Sequence, residues 1–336
     1  MENTFDFLSE TPQIDHHGVY EALHPDEHKN VNRLIIIGNG FDLAHGLKSS
    51  FQDFIAAYCL DVLKEFEYRN NRYKDSILEF EFVGGFGKSF NFNSNGLSHD
   101  NSVNRTVNIL KNPHVKVSHQ GDLLKLLLKD QSEQKWVDIE MKYFELLKSW
   151  TGKVDEAKVK KLNSEFEFIK EKLIDYLKSE MKLFNFKAND EITKQFTDLI
   201  DPKHLMSNTV KTSMPANSIS ILNFNYTDFP LRYIKAFEKS SWKYIPIHGQ
   251  LDGDDAVNQG PVFGFGDELD QTYVKFEQEN SDELLKHIKS FKYLQFQHYR
   301  KLLNYLDSLP FQVYIFGHSC GVSDRTMLNT IFEHKN

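Results

Sequence analysis

Two cysteines in 336 residues, Cys59 and Cys320, cannot form a disulfide framework, and their separation matches no metal-ligand spacing. That usage fits a reducing compartment. Long apolar runs are also missing, and none approaches the roughly 20 residues that a membrane-spanning helix needs. The first residues, Met1-Glu2-Asn3-Thr4-Phe5-Asp6, are acidic and lack the basic region and apolar run of a signal peptide. A cytoplasmic location with no membrane partner is therefore expected. No dense Lys/Arg block occurs, and net charge is −8 with a pI near 6.0. This argues against nucleic acid as the primary ligand.

What is present is a chain long enough for one large α/β domain, or for a core domain carrying a helical insertion. Its 28 Phe and 14 Tyr imply an aromatic core. The stretch Leu34-Ile35-Ile36-Ile37 ends abruptly at Gly38-Asn39-Gly40-Phe41-Asp42. An unbroken Ile-rich run reads as a strand buried on both faces of a parallel sheet. Gly38 and Gly40 let the backbone turn sharply and approach a ligand closely. A helix starting there would aim N–H groups and its positive dipole end at an anion such as phosphate. The third glycine of the dinucleotide fingerprint is absent, and Asp42 stands where phosphate would lie.

Residues 1–30, with His16, His17, His24 and His28, read as a surface extension. The remaining 31–336 read as one α/β domain. Apolar spacing predicts a helix from Phe51 to Phe66, with Ser49 and Ser50 as N-cap candidates. Glycine-rich 84–108 shows no period and is expected to be a long loop or lid. Helices are expected at about 121–130, through Met141, Phe144, Leu147 and Trp150, and over 154–184. The region 60–205 thus reads as a mostly helical insertion between strands.

Strand patterns return at 218–226, 243–249 and 311–317. Ligands of open parallel sheets bind beyond the carboxyl ends of the strands. Gly38–Asp42, Asn225, His248–Gly249 and Gly317–Ser319 should therefore converge on one rim. His248 can act as a base near neutral pH, and Asn225 can hold a ribose or a water. Asp138 and Glu140 are additional acid candidates, with Asp138 suited to capping the helix behind it. Gly264-Phe265-Gly266-Asp267-Glu268 is a candidate pocket wall. Gly317-His318-Ser319-Cys320-Gly321 has the spacing of a hydrolase nucleophile elbow. Only fifteen residues follow Gly321, too few for the strands that would carry the acid and histidine, so a nucleotide-binding turn suits Ser319 better.

These motifs, in order, resemble the bacteriophage abortive-infection AbiH family. The resemblance rests on 34–46 with Phe51 and Phe54, Trp136-Val137-Asp138-Ile139-Glu140, Asn223-Phe224-Asn225-Tyr226-Thr227, Ile247-His248-Gly249, Gly264-Phe265-Gly266, and Gly317-His318-Ser319 through Asp324. Two departures are the 1–30 extension and Cys320, where a larger aliphatic residue is expected. A more distant resemblance links Gly38-Asn39-Gly40, Asn225, His248-Gly249 and Gly317-His318-Ser319 to sirtuin-like NAD-consuming domains, without their zinc-binding cysteines.

The resemblances imply a Rossmann-like (sirtuin-like), mostly parallel sheet flanked by helices, and a phage-defence role. They also imply an NAD pocket, with hydrolysis at the nicotinamide–ribose bond. Asn225 and His248 would be catalytic. Gly38, Asn39, Gly40, Phe41, Asp42, His45, Gly249, Gly317, His318, Ser319 and Asp324 would bind the nucleotide. No metal is expected for that chemistry. A magnesium-dependent nuclease using Asp138, Glu140 or Asp42, and a non-catalytic nucleotide sensor acting through a partner, remain alternatives. A phage-derived trigger, a defence-system partner and a homo-oligomer are further partner expectations.

Overall fold

The computed structural model describes residues 30–84, 96–133, 138–150, 155–205, 210, 212–236, 242–252, 260–265, 271–279 and 281–336. Its strands are β1 (Asn32–Ile37), β2 (Arg72–Lys74), β3 (Leu78–Phe82), β4 (Val115–Gln120), β5 (Ile219–Asn223), β6 (Trp242–Pro246) and β7 (Phe311–Phe316). Four of them form a parallel sheet in the order β6-β5-β1-β7.

β1 lies inside this sheet and is buried along its whole length. Its pleat sends Leu34 and Ile36 to one face and Ile35 and Ile37 to the other. On the first face they meet Leu302, Leu306, Leu328 and Ile331, from helices Gln297–Leu306 and Arg325–Phe332. On the second they meet Phe41, Phe196, Phe229 and Tyr233. Helices on both faces are the reason the strand has no polar alternation. Each of these four side chains contributes about 1.5–3 kcal/mol of burial, as an upper bound.

The region between β1 and β5 has its own core, built from Phe54, Phe66, Phe80, Tyr143, Phe166 and their neighbours. Helix Phe51–Tyr68 begins with a capping box between Ser50 and Asp53. Asp138 caps helix Ile139–Ser149, and the long helix Glu156–Leu183 follows. This region is not purely helical. β2, β3 and β4 form a separate antiparallel sheet in the order β2-β3-β4. β2 is three residues long, and β4 is exposed over its central residues, so neither carries a strong hydrophobic pattern.

The expected loop at 84–108 is also corrected, because His99–Leu110 is a helix. Ser102 and Thr106 lie on its buried face with Val103 and Ile109, and those two polar residues hide the apolar period. Residues 85–95 and the extension 1–29 lie outside the described residues. Among the described residues no helix is long and apolar enough to cross a membrane. The architecture is a mixed α/β fold, with a parallel sheet flanked by helices and a small antiparallel sheet.

Candidate functional site

The four parallel strands end on a cavity of about 490 Å³. Gly38, Asn225, His248 and Gly317, from beyond β1, β5, β6 and β7, all line it. The opposite wall comes from the region between β1 and β5, with Phe51, Gln52, Glu140, Leu173 and Leu177. Its size is that of a small-molecule site.

The glycine turns pack against each other. The Gly38 N–H donates to Phe316 O (3.1 Å), the Gly40 N–H to Gly317 O (2.8 Å) and the Phe41 N–H to Gly38 O (2.9 Å). A Cβ at Gly38 would lie 2.6 Å from His318 Cα, and one at Gly317, whose φ is +65°, would lie 2.1 Å from Phe41 N. The close approach that requires glycine is thus between two turns of the protein. Helix Asn39–Ala44 is only six residues long, and protein carbonyls take the N–H groups of Gly38, Gly40 and Phe41.

Asp42 is fully buried among these turns. Its Oδ2 accepts from the Thr227 hydroxyl, while Oδ1 is buried with no hydrogen-bond partner. Burial pushes this carboxyl up to about 7, against the hydrogen bonds of Thr227 and Asn225. The Asn225 amide donates to Gly38 O (3.1 Å), and its backbone N–H donates to Asn223 Oδ1 (3.1 Å). The end of β5 is thereby tied to the end of β1.

Beside them stands a buried ionic cluster drawn from four separate segments. Lys289, 2% exposed, places Nζ 3.2 Å from Glu140 Oε2 and 3.4 Å from Asp324 Oδ1. Burial opposes the ammonium, but the two carboxylates outweigh it and hold the lysine well above its ordinary value. Burial likewise opposes the charge on Asp324, yet Lys289 and His248 hold its carboxyl well below the usual range. Glu140 is pushed up to about 7 by burial, against the pull of Lys289. Its Oε1 accepts from the Gly264 N–H (2.8 Å) and the Tyr226 hydroxyl (3.3 Å).

His248 is 3.1 Å from Asp324 Oδ1 through Nε2. Burial and then Lys289 push its imidazole down to about 4, so it is neutral at pH 7. Nδ1 faces Phe224 O (2.8 Å) and Nε2 faces the Tyr293 hydroxyl (2.8 Å). Nε2 thus has both the Tyr293 hydroxyl and the Asp324 carboxylate within hydrogen-bond reach. Both ring nitrogens are therefore engaged by protein groups.

The structure brings most of the anticipated residues together. Gly38, Asn39, Gly40, Asp42, Asp138, Glu140, Asn225, His248, Gly317, His318, Ser319 and Asp324 all line the cavity. Phe41, His45 and Gly249 do not line it. Phe41 packs into the core on the second sheet face, and His45 bonds Phe41 O and the Tyr233 hydroxyl. Gly249, at φ +77°, turns the chain after His248 and donates to Pro246 O. Cys320 also has a positive φ, +51°, with its N–H on His318 Nδ1. Of the candidate wall at 264–268, Gly264 bonds Glu140, and 266–268 lie outside the described residues. Among the described residues no group of three His, Cys, Asp or Glu is arranged to hold a metal.

Sequence reasoning missed Lys289, which sits among Lys286 and Lys292 with nothing local to distinguish it. The apolar wall of Leu173 and Leu177 was also missed, because it lies on the apolar stripe of a helix that packs a core. Tyr226 and Thr227 were visible only as neighbours of Asn225.

No curated protein and no solved structure matches the chain. A sequence model of the family described as "Bacteriophage abortive infection AbiH" matches residues 34–336. That span opens inside β1 and takes in the glycine turns, the Glu140–Lys289–Asp324 cluster and Asn225, so the whole cavity falls within it; the chain belongs to the bacteriophage abortive infection AbiH family.

Proposed function

We propose that this cavity binds NAD or a related nucleotide and hydrolyses the bond between nicotinamide and ribose, as an effector of phage defence. The observation that carries the reading is the convergence of Asn225 and the buried Asp42 carboxyl at the carboxyl rim of the sheet. A ribose placed there meets an amide and a carboxyl, and the carboxyl oxygen Oδ1 has no protein partner.

In the step, a water oxygen bonds to C1′ of the ribose while the C1′–N bond breaks. Nicotinamide leaves as a neutral base with the electron pair, and the water proton passes to Asp42. Catalysis rests on positioning and on a negative group beside a sugar that gains positive charge. Asn225 orients the water and the ribose. His248 contacts a ribose hydroxyl where that hydroxyl replaces Tyr293 at Nε2. We prefer this to metal-dependent nuclease chemistry because the Lys289 ammonium fills the space between Glu140 and Asp324 that a divalent ion would need.

The test is NAD consumption by the purified protein, alone and with phage components. Wild type is expected to release nicotinamide, and Asn225→Ala to lose at least about a hundredfold in rate. His248→Ala is the parallel variant. NAD left intact under all of these conditions overturns the hydrolase reading; binding without turnover selects a sensor.

A further inference from the structure

The charge around the cavity is lopsided. Among the described residues four carboxyl groups line it, from Asp42, Asp138, Glu140 and Asp324, against a single ammonium, Lys289. That ammonium is paired to two of the four carboxyls, and His248 adds no positive charge. No arginine lines the cavity among the described residues. The N–H groups of Gly38, Gly40 and Phe41, which could have met a phosphate, are bonded to carbonyls of the protein. The Ser49 hydroxyl donates to Asn39 and the Ser50 hydroxyl to Asp53. A phosphate here would meet carboxylates with no uncommitted cation among the described residues to offset them. In a site of low dielectric, that repulsion is large.

We propose that this cavity selects a positively charged nucleoside, seating a cationic ring and its ribose against Asp42 and Glu140 while any phosphates remain outside. The apolar wall of Leu173 and Leu177 supplies a surface for the planar ring. The choice of probe rests on the NAD reading; the charge selection does not.

The probes are nicotinamide riboside and its reduced, uncharged dihydro form, which have nearly the same shape and differ in charge. Calorimetry on the wild-type protein is expected to show the cation binding at least about tenfold more tightly. Ribose 5-phosphate and inorganic pyrophosphate are expected not to displace it. Glu140→Gln, with its fold checked by circular dichroism, should narrow the ratio between the two ribosides. Equal binding of the two, preference for the neutral form, or displacement by pyrophosphate overturns the proposal, and wild type alone decides it. Cation selection without NAD cleavage would sink the hydrolase reading and leave this one standing. NAD cleavage with equal riboside affinities would do the reverse.

Discussion

Two side chains control how this site responds to pH. Asp42 and Glu140 both titrate near 7 because burial penalises their charged forms. An acid whose folded value is raised binds protons more tightly when folded. Its contribution to stability is complete below the unfolded value near 4 and is lost as pH rises through about 7. His248, pushed down to about 4, works in the opposite sense, adding stability as pH rises from 4 to its ordinary value near 6.5. Above pH 6.5 the carboxyls alone remain. Asp42 faces Thr227, Asn225 and Asp228, and Glu140 faces Lys289, Asp138, Asp324 and Tyr226. Asp42→Asn removes one titration without adding charge. Its stability relative to wild type is expected to improve by about 2–3 kcal/mol between pH 5 and pH 8.5. Urea unfolding at the two pH values measures this, and a difference that does not change with pH would refute it.

At the scale of elements, the rim is made by two turns pressed together, the one after β1 and the one after β7. Gly317 combines a positive φ with a Cβ position 2.1 Å from Phe41 N, so any side chain there must force the turns apart. Gly46 also has positive φ, +86°, but its Cβ position is open within 4 Å. Comparing alanine at the two positions separates backbone strain from collision. Gly46→Ala is expected to cost about 1 kcal/mol and Gly317→Ala about 2–4 kcal/mol. Similar losses in urea midpoint for the two would mean the turns yield easily. This is also where local reading of a sequence motif reaches its limit. The pattern Gly38-Asn39-Gly40 marks a tight strand-to-helix turn correctly, but the partner that needs the space is Gly317, 277 residues further on. The same limit hid the helix His99–Leu110, whose buried face carries two hydroxyls, and the strands β2 to β4, which are short or exposed.

For the whole molecule, Lys289 joins parts that are otherwise distant. Glu140 belongs to helix Ile139–Ser149 in the region between β1 and β5, and Asp324 precedes the last helix, against the sheet. Removing the lysine leaves two buried carboxyls without their cation, so Lys289→Met is expected to destabilise by about 3–5 kcal/mol. Adding Glu140→Gln should recover part of that loss, giving a coupling energy above about 1 kcal/mol in a double-mutant cycle. Additive losses would show that the pair does not act as one unit.

By itself, the sequence determined the four parallel strands, although the patterns at 218–226 and 243–249 run three residues past the observed ends at Asn223 and Pro246. A strand buried on both faces must be apolar along its length, and it ends where small or polar residues begin. That local rule places Gly38, Asn225, His248 and Gly317 at one rim. It also placed Asp138 as a cap, because capping depends on neighbours three residues away. Only the tertiary structure decided what those ends face. The pairing of Lys289 with Glu140 and Asp324, the burial that brings Asp42 and Glu140 near neutrality, and the use of the turn N–H groups by the protein itself depend on contacts across 35 to more than 270 residues. Charge balance and desolvation belong to the assembled cavity, and no local pattern encodes them.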